Sequence, residues 1–249
     1  MTTATSTTST TRTALVVRGG WEGHQPVETT ELFLPFLREH GFTVRVEDSP
    51  EVYADAAFMA GVDLIVPCVS MGTIEPEQLE GLRAAVEAGT GMVGWHGGIV
   101  DSYRESTDYL MLVGGQFAAH PARHPTEPAR TDNSFDVVHT VEFLPEAADH
   151  PITAGLEAFE LCTEQYWVLT DDYADVLATT TQAVREGDPW QREVTSPAVW
   201  TRQWGKGRIV VCTPGHDVDV VQHPTVRTII ERGMLWAAQG APSRLTPPR

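Results

Sequence analysis

The sequence predicts a single α/β domain built on a mostly parallel sheet with helices on both faces. Short apolar segments alternate with helical segments through the first half of the chain, which is typical of strand–helix–strand units. The apolar segments are continuous, as expected of strands covered on both sides. The chain has 249 residues, of which 41% are hydrophobic, enough for one large core. We place the domain at residues 14–240, between a disordered tail (1–13) and a frayed tail (241–249).

The elements of the first half follow each other in a regular order. They are a strand at 14–17, a helix at 29–40, strands at 42–46 and 62–66, a helix at 76–88 and a strand at 91–95. Pro35 starts or kinks the first helix, while Pro76 and Gly89 mark the start and the end of the second. Such units give parallel strands with right-handed crossovers, and ligands bind at the carboxyl ends of the strands.

The second half is less regular and predicts additional strands. These lie at 135–141, 160–168, 176–180, 197–203 and 208–212, followed by an amphipathic helix at 226–238. The segment 188–195 is predicted to be a loop, and the two glycines at 205 and 207 indicate a hairpin turn. No internal repeat and no change in composition marks a second domain.

Charge and composition exclude several classes of partner. With 17 basic and 34 acidic residues the net charge is −17, which disfavours nucleic acids and anionic membranes. A neutral sugar or a bound cation suits this charge better. No segment approaches the ~20 apolar residues of a membrane span. The three cysteines are an odd number, and the N-terminus lacks the apolar core of a secretory signal, so we expect reduced thiols and a cytoplasmic protein.

Four histidines lie at or just past predicted strand ends, each beside glycine or proline. They are His24, His96, His120 and His216. Because the carboxyl ends of parallel strands share one edge, these side chains are expected to meet in one crevice. Glycine and proline fix the unusual backbone paths that often surround a ligand.

Two kinds of chemistry remain open for these histidines. The four imidazoles could bind a divalent metal such as Zn²⁺ or Mn²⁺, although no ligand spacing here is diagnostic. Alternatively, His96 and His216 could act as acid–base catalysts together with Glu164 and Asp217. Aromatic and polar side chains in the same segments are candidates for binding a sugar ring. They are Trp21, His24, Trp95, Asp101, Tyr103, Tyr109, His120 and Tyr166.

The segment GWHGG at 94–98 marks the predicted site most clearly. It resembles the glycine-framed elbow that presents a nucleophile at the end of a strand, but His96 occupies the nucleophile position. The sequence therefore argues against acyl-enzyme catalysis. No glycine fingerprint for dinucleotides follows the first strand, and no Walker loop is present.

Several segments, in order, resemble the trehalose-utilisation (ThuA-like) family over roughly residues 14–239. They are GWHGG at 94–98, DSY at 101–103, LVGGQF at 112–117, HP at 120–121, HPITAGL at 150–156, EQY at 164–166, PAVW at 197–200, GKGR at 205–208 and PGHD at 214–217. The resemblance implies a flavodoxin-like fold of the class I glutamine amidotransferase-like superfamily, in which His96 replaces the cysteine nucleophile. Gln25 departs from the aspartate of many relatives, so a metal or acid role is not transferred to that position.

The resemblance also implies a role in carbohydrate metabolism. We expect an enzyme that acts on a disaccharide or 3-keto-sugar, by histidine and carboxylate acid–base chemistry or with the help of a metal, as an isomerase, a lyase or an oxidoreductase component. A metal-dependent hydrolase or lyase is one alternative. A non-catalytic sugar-binding subunit, as a homo-oligomer or with an oxidoreductase partner, is the other.

Overall fold

A nine-stranded sheet runs through the centre of the protein, whose computed structural model describes residues 12–239. Its strands are β1 (Arg12–Gly20), β2 (Phe42–Glu47), β3 (Leu64–Ser70), β4 (Gly91–Trp95), β6 (Asp136–Phe143), β7 (Phe159–Glu164), β9 (Asp175–Gln182), β10 (Val194–Trp204) and β11 (Gly207–Cys212). Two further strands, β5 (Gly115–Ala119) and β8 (Trp167–Thr170), form a small antiparallel sheet. The predicted α/β fold with extra strands in its C-terminal half is confirmed.

Helices cover both faces of the large sheet. They are α1 (Pro26–Glu31), α2 (Leu34–Glu39), α3 (Ala56–Met59), α4 (Pro76–Ala88), α5 (Gly97–Val100), α6 (Thr107–Val113), α7 (Val218–Val221) and α8 (Pro224–Ala237). Alternate residues of β1 enter two cores: Val16 packs with α2 and α8, and Leu15 with α4 and α6. Within residues 12–239, no helix is long and apolar enough to cross a membrane.

The parallel half of the sheet has the strand order of flavodoxin-like folds. It runs β2-β1-β3-β4-β11, so β1 and β3 are neighbours although β2 lies between them in the chain. The chain passes from β1 to β2 on one side and then crosses back to β3 on the other side of β1. In such sheets a crevice opens at the carboxyl ends of the strands between which the direction changes, here β1 and β3. The segments that leave β1, β3, β4 and β11 meet beside this crevice.

The antiparallel half ends in the β6–β7 hairpin, which is joined to β9 at one end only. β6 pairs with β9 only through Val141–Phe143, at the end of β6 far from the crevice. The β6–β7 hairpin is therefore not held to β9 near the crevice, although β6 and β7 pair with each other along most of their length. This separation lets Glu164, at the end of β7, approach side chains from the distant parallel strands.

The structure corrects several boundaries expected from the sequence. The strand expected at 62–66 is Leu64–Ser70, and β10 begins at Val194, inside the segment 188–195 expected to be a loop. The single strand at 160–168 is two strands, because the chain leaves the large sheet after Glu164 and β8 pairs with β5 instead. The helix at 29–40 is divided into α1 and α2, with Pro35 in the first turn of α2. β1 begins at Arg12, whose guanidinium lies over the Phe42 ring 4.1 Å away. Apart from Arg12 and Thr13, which belong to β1, the predicted tails at 1–13 and 241–249 lie outside the described residues.

Candidate functional site

His96 lies at a sharp turn between β4 and α5. Its backbone has φ 49° and ψ −141°, a combination that costs energy in any residue with a side chain. The neighbouring glycines permit the turn, because a Cβ on Gly98 would lie 2.9 Å from the Cα of Cys68, and one on Gly94 would lie 2.7 Å from the Cβ of Ile99. The strand-to-helix elbow expected from GWHGG is present, and it presents an imidazole.

The turns after β1 and β11 bring His24 and His216 to the same point. His24 follows β1, and its Nδ1 is 2.7 Å from the hydroxyl oxygen of Ser70 at the end of β3. His216 follows β11, and its ring centroid lies 5.2 Å from that of His24 and 5.3 Å from that of His96. All three side chains are buried.

Glu164 completes a cluster of four side chains, which we call the His3Glu cluster (His24, His96, Glu164 and His216). One ligand atom from each residue lies within 4.8 Å of every other. The Glu164 Oε2 atom is 3.2 Å from Nε2 of His96 and 3.3 Å from Nδ1 of His216. Three imidazoles and a carboxylate therefore converge on one small volume at the carboxyl edge of the sheet.

Hydrogen bonding sets the tautomer of His96. Its Nδ1 lies 2.8 Å from the carbonyl oxygen of Thr213, which can only accept, so Nδ1 carries the proton. In the neutral ring, Nε2 then presents a lone pair to the carboxylate of Glu164. A proton on Nδ1 of His216 can be donated to Glu164 or to His96, which is 3.4 Å away. The cluster thus has more acceptors than donors, and a cation would satisfy them.

The cluster also shifts the pKa values of its members. Burial, reinforced by the nearby His96 and His216, lowers the pKa of His24 to about 2. Burial likewise lowers the pKa of His96, although Glu164 opposes the shift. For Glu164 burial opposes ionisation, but the contacts with His216 and His96 outweigh it and hold the pKa well below its ordinary range. Neutral imidazoles at His24 and His96 and an ionised carboxylate at Glu164 are protonation states that suit metal binding.

These shifts predict that acid destabilises the metal-free protein. Below about pH 6.5 the unfolded chain protonates His24, whereas the folded chain does not until about pH 2, so stability falls as the pH falls through this window. Glu164 adds a loss of the same sign below pH 4.5. We expect the Tm in EDTA to decrease between pH 7 and pH 4, and to decrease less in His24→Gln. A His40→Gln variant, at an exposed histidine, serves as the control; equal slopes in all three proteins would contradict this prediction.

Two neighbours connect the His3Glu cluster to the long segment between β5 and β6. The side-chain amide of Asn133 donates to Oε1 of Glu164 at 2.9 Å, which leaves Oε2 for the histidines. His120 lies outside the cluster, with Nε2 4.0 Å from Oε2 of Glu164 and a side chain that is 21% exposed. The structure thus places Glu164, rather than His120, as the fourth potential metal ligand.

Asp217 is engaged elsewhere, although it follows His216 directly. Its carboxylate accepts from Arg130 at 2.6 Å and from the backbone N–H of Val220 at 3.0 Å, where it caps α7. These contacts anchor the turn that carries His216. The carboxylate that contacts the histidine rings is that of Glu164.

The aromatic candidates divide between the site and the core. The Trp21 ring is 47% exposed and meets the ring of His24 edge-on, and Tyr166 lies against His96 with centroids 3.9 Å apart. Trp95 packs on Phe33 inside the core. The hydroxyl of Tyr109, also buried, donates to the carbonyl of Ile99. Trp21 is therefore the aromatic candidate with an open surface beside the cluster.

Asp101 and Tyr103 follow α5, next to the end of β3, where the backbone N–H of Met71 donates to the carbonyl of Asp101. The buried carboxylate of Asp101 binds the exposed guanidinium of Arg104 through two hydrogen bonds. Tyr103 lines a neighbouring cavity. Sequence reasoning missed Arg104, Asn133 and the contact between Ser70 and His24. The spacing of three residues between Asp101 and Arg104 is a signal for the first, whereas no sequence pattern indicates the other two.

Comparisons with known proteins agree with this fold. The model of the ThuA family, described as trehalose utilisation, matches residues 13–237. A ThuA-like protein from Parabacteroides merdae has a TM-score of 0.70 at 18% identity, covering 96% of this chain and 94% of the other. A ThuA-like protein from Bacteroides uniformis has a TM-score of 0.67 at 16% identity, covering 94% of each chain.

A third similar structure is a cytoplasmic protein from Salmonella typhimurium, with a TM-score of 0.56 at 13% identity, covering 92% of this chain and 99% of the other. At these identities the solved structures establish the fold alone. No curated protein matches the sequence significantly. Since the family model spans nearly the whole described structure, the chain belongs to the ThuA family, which is linked to trehalose utilisation.

Proposed function

We propose that the protein is a metal-dependent enzyme of carbohydrate metabolism that acts on a neutral disaccharide or 3-keto-sugar. The observation that carries the proposal is the His3Glu cluster, in which three imidazoles and one carboxylate converge within 4.8 Å. The family supports the carbohydrate part of the proposal. The chain's charge of −17 favours a neutral substrate over an anionic one.

The donor set fits a divalent transition metal such as Zn²⁺ or Mn²⁺. Imidazole nitrogen and carboxylate oxygen suit both ions. His96 has the supporting contact typical of metal-bound histidines, because its Nδ1–H donates to the carbonyl of Thr213. When bound, the metal would polarise a carbonyl or hydroxyl oxygen of the substrate. Four protein ligands leave room for substrate only if the ion accepts five or more ligands.

Residues around the cluster would bind the sugar and move protons. Trp21 offers an exposed aromatic face on which a pyranose ring can stack. His120 is partly exposed beside the cluster, so its Nε2 atom is placed to exchange a proton with the substrate. Such a proton transfer next to a carbonyl group would support isomerisation or elimination of a 3-keto-sugar. Asn133 keeps the Glu164 carboxylate oriented meanwhile.

Metal analysis and turnover assays test this proposal together. We expect the purified protein to carry about one divalent ion per chain, and its Tm to rise when Zn²⁺ or Mn²⁺ is added after EDTA treatment. We further expect turnover of 3-keto-disaccharides that EDTA abolishes and metal restores. A protein whose Tm ignores divalent ions, or whose turnover survives metal removal, would contradict the metal-dependent mechanism.

Metal-free acid–base catalysis is the second candidate. It is favoured by one observation, the 3.3 Å contact through which Nδ1 of His216 can donate a proton to Glu164. This mechanism predicts full activity in EDTA and a pH optimum unaffected by metals. Stabilisation by sugars without any turnover would instead favour a binding subunit, which would work with an oxidoreductase partner.

A further inference from the structure

The cavity lined by Tyr103 lies at the carboxyl end of β3, near the His3Glu cluster. Its volume is about 600 Å³, within the roughly 300–1,000 Å³ range of small-molecule sites. The segment after β3 and the turn between α5 and α6 form its walls. Apolar side chains from Ile74, Leu79 and Tyr103 combine there with the polar side chains of Thr73 and Arg104. We call it the β3 cavity.

Two residues in the wall of the β3 cavity connect it to the His3Glu cluster through their neighbours. Met71, in its wall, directly follows Ser70, whose hydroxyl contacts His24 of the cluster. On the opposite wall, the guanidinium of Arg104 lies 5.6 Å from the centre of the Phe117 ring. Phe117 packs on Tyr166, with centroids 4.6 Å apart, and Tyr166 covers His96. The rings of Phe117 and Tyr166 therefore link Arg104, on the cavity wall, to His96 in the cluster.

Arg104 is oriented in advance for hydrogen bonding. The buried carboxylate of Asp101 accepts from Nε and from one terminal nitrogen, which holds the guanidinium plane and neutralises its charge. Since a guanidinium has five N–H donors, three remain free for a ligand, and the side chain is 47% exposed. In addition, the buried hydroxyl of Tyr103 on the cavity wall has no hydrogen-bond partner within residues 12–239.

The charges at the cavity favour a neutral ligand. Arg104 is paired with Asp101, and Asp108 is paired with Arg83 at 3.2 Å. The exposed carboxylate of Glu105 adds a negative charge to the same rim. A phosphate group would meet an arginine whose charge Asp101 already neutralises and the additional carboxylate of Glu105, which is unfavourable. Hydroxyl groups, in contrast, can accept from the free N–H groups of Arg104.

We propose that the β3 cavity is a subsite for the second ring of a neutral disaccharide whose first ring lies over the His3Glu cluster. Arg104 donates hydrogen bonds to hydroxyl oxygens of the second ring, and Ile74 and Leu79 pack against its apolar face. This subsite rests on the proposed function, since it needs a sugar at the cluster. It makes the protein selective for disaccharides over monosaccharides and over their phosphorylated forms.

Binding measurements on the metal-loaded protein test the subsite. The probes are trehalose, glucose and trehalose 6-phosphate, measured by calorimetry. Thr73→Trp fills the cavity from an exposed position, and Arg104→Leu removes the donors. We expect each to weaken trehalose binding at least about tenfold, with glucose binding and metal content unchanged. Trehalose 6-phosphate is expected to bind more weakly than trehalose.

Two matched variants serve as controls. Thr73→Ser keeps the cavity open. Arg45→Leu removes an arginine on β2 that resembles Arg104: its side chain is 44% exposed, is paired with a carboxylate and lies close to an aromatic ring. Both should bind trehalose as the wild type does. Tight trehalose binding in Thr73→Trp and Arg104→Leu would overturn the subsite alone. If the wild type binds none of these sugars, the subsite fails, whereas turnover of 3-keto-disaccharides still decides the proposed function. Tighter binding of the phosphorylated sugar would overturn the preference for a neutral ligand.

Discussion

Replacing Glu164 with glutamine is expected to reduce divalent-metal affinity by about 100-fold or more. The amide removes the anionic ligand but nearly keeps its shape. Its oxygen can still accept from Asn133, which turns the NH2 group toward Nε2 of His96. The NH2 group would donate a hydrogen bond to the Nε2 lone pair of His96, which receives none from the Glu164 carboxylate. Metal content and the rise in Tm on adding Zn²⁺ or Mn²⁺ measure this loss.

Glu160→Gln is the matched control for this change. Glu160 lies on the same strand, is exposed and is absent from the His3Glu cluster, so this variant should bind metal as the wild type does. A Glu164→Gln protein that retains wild-type metal affinity would exclude Glu164 as a ligand.

Replacing Gly97 with alanine is expected to lower the free energy of unfolding by about 1–3 kcal/mol and to impair metal binding. A Cβ at this position would lie 2.5 Å from Nδ1 of His24 and 3.1 Å from the hydroxyl oxygen of Ser70. His24 has little room to move, because the rings of Trp21, His96 and His216 surround it. Chemical denaturation and metal titration measure the two losses.

Two variants separate this clash from a general effect of alanine. Gly61→Ala places a Cβ 3.5 Å from the carbonyl oxygen of Phe58, an ordinary contact, so its stability should change little. In a His24→Ala background, Gly97→Ala should cost less than it does alone, because the ring that it strikes is absent. Equal costs in both backgrounds would place the strain somewhere other than the His24 ring.

The parallel half of the fold could be predicted because its signals are local. Continuous apolar segments, Pro76 and Gly89 define strands and a helix within a few residues of their observed ends. The elbow at His96 was predictable for the same reason, since the glycines on either side are required by contacts that a Cβ would make with neighbouring strands. Strand-end placement then directed attention to His24 and His216.

The composition of the cluster depends on long-range pairing that a sequence pattern does not encode. Glu164 reaches the histidines because β6 pairs with β9 only at one end and the chain leaves the large sheet after β7. For the same reason, the single strand predicted at 160–168 is divided into β7 and β8. His120 and Asp217 were equally plausible from the sequence, and only the packing shows that Asp217 binds Arg130 instead of a histidine.

X-ray absorption at the metal edge of the Zn²⁺- or Mn²⁺-loaded protein tests the central claim most directly. A divalent ion in the His3Glu cluster predicts a first shell of three imidazole nitrogens and at least one carboxylate oxygen. The imidazole contribution should fall in His96→Ala, whose missing ring belongs to that shell. A shell of oxygen ligands without imidazole, or a protein that binds no ion, would contradict the metal site and the mechanism proposed on it.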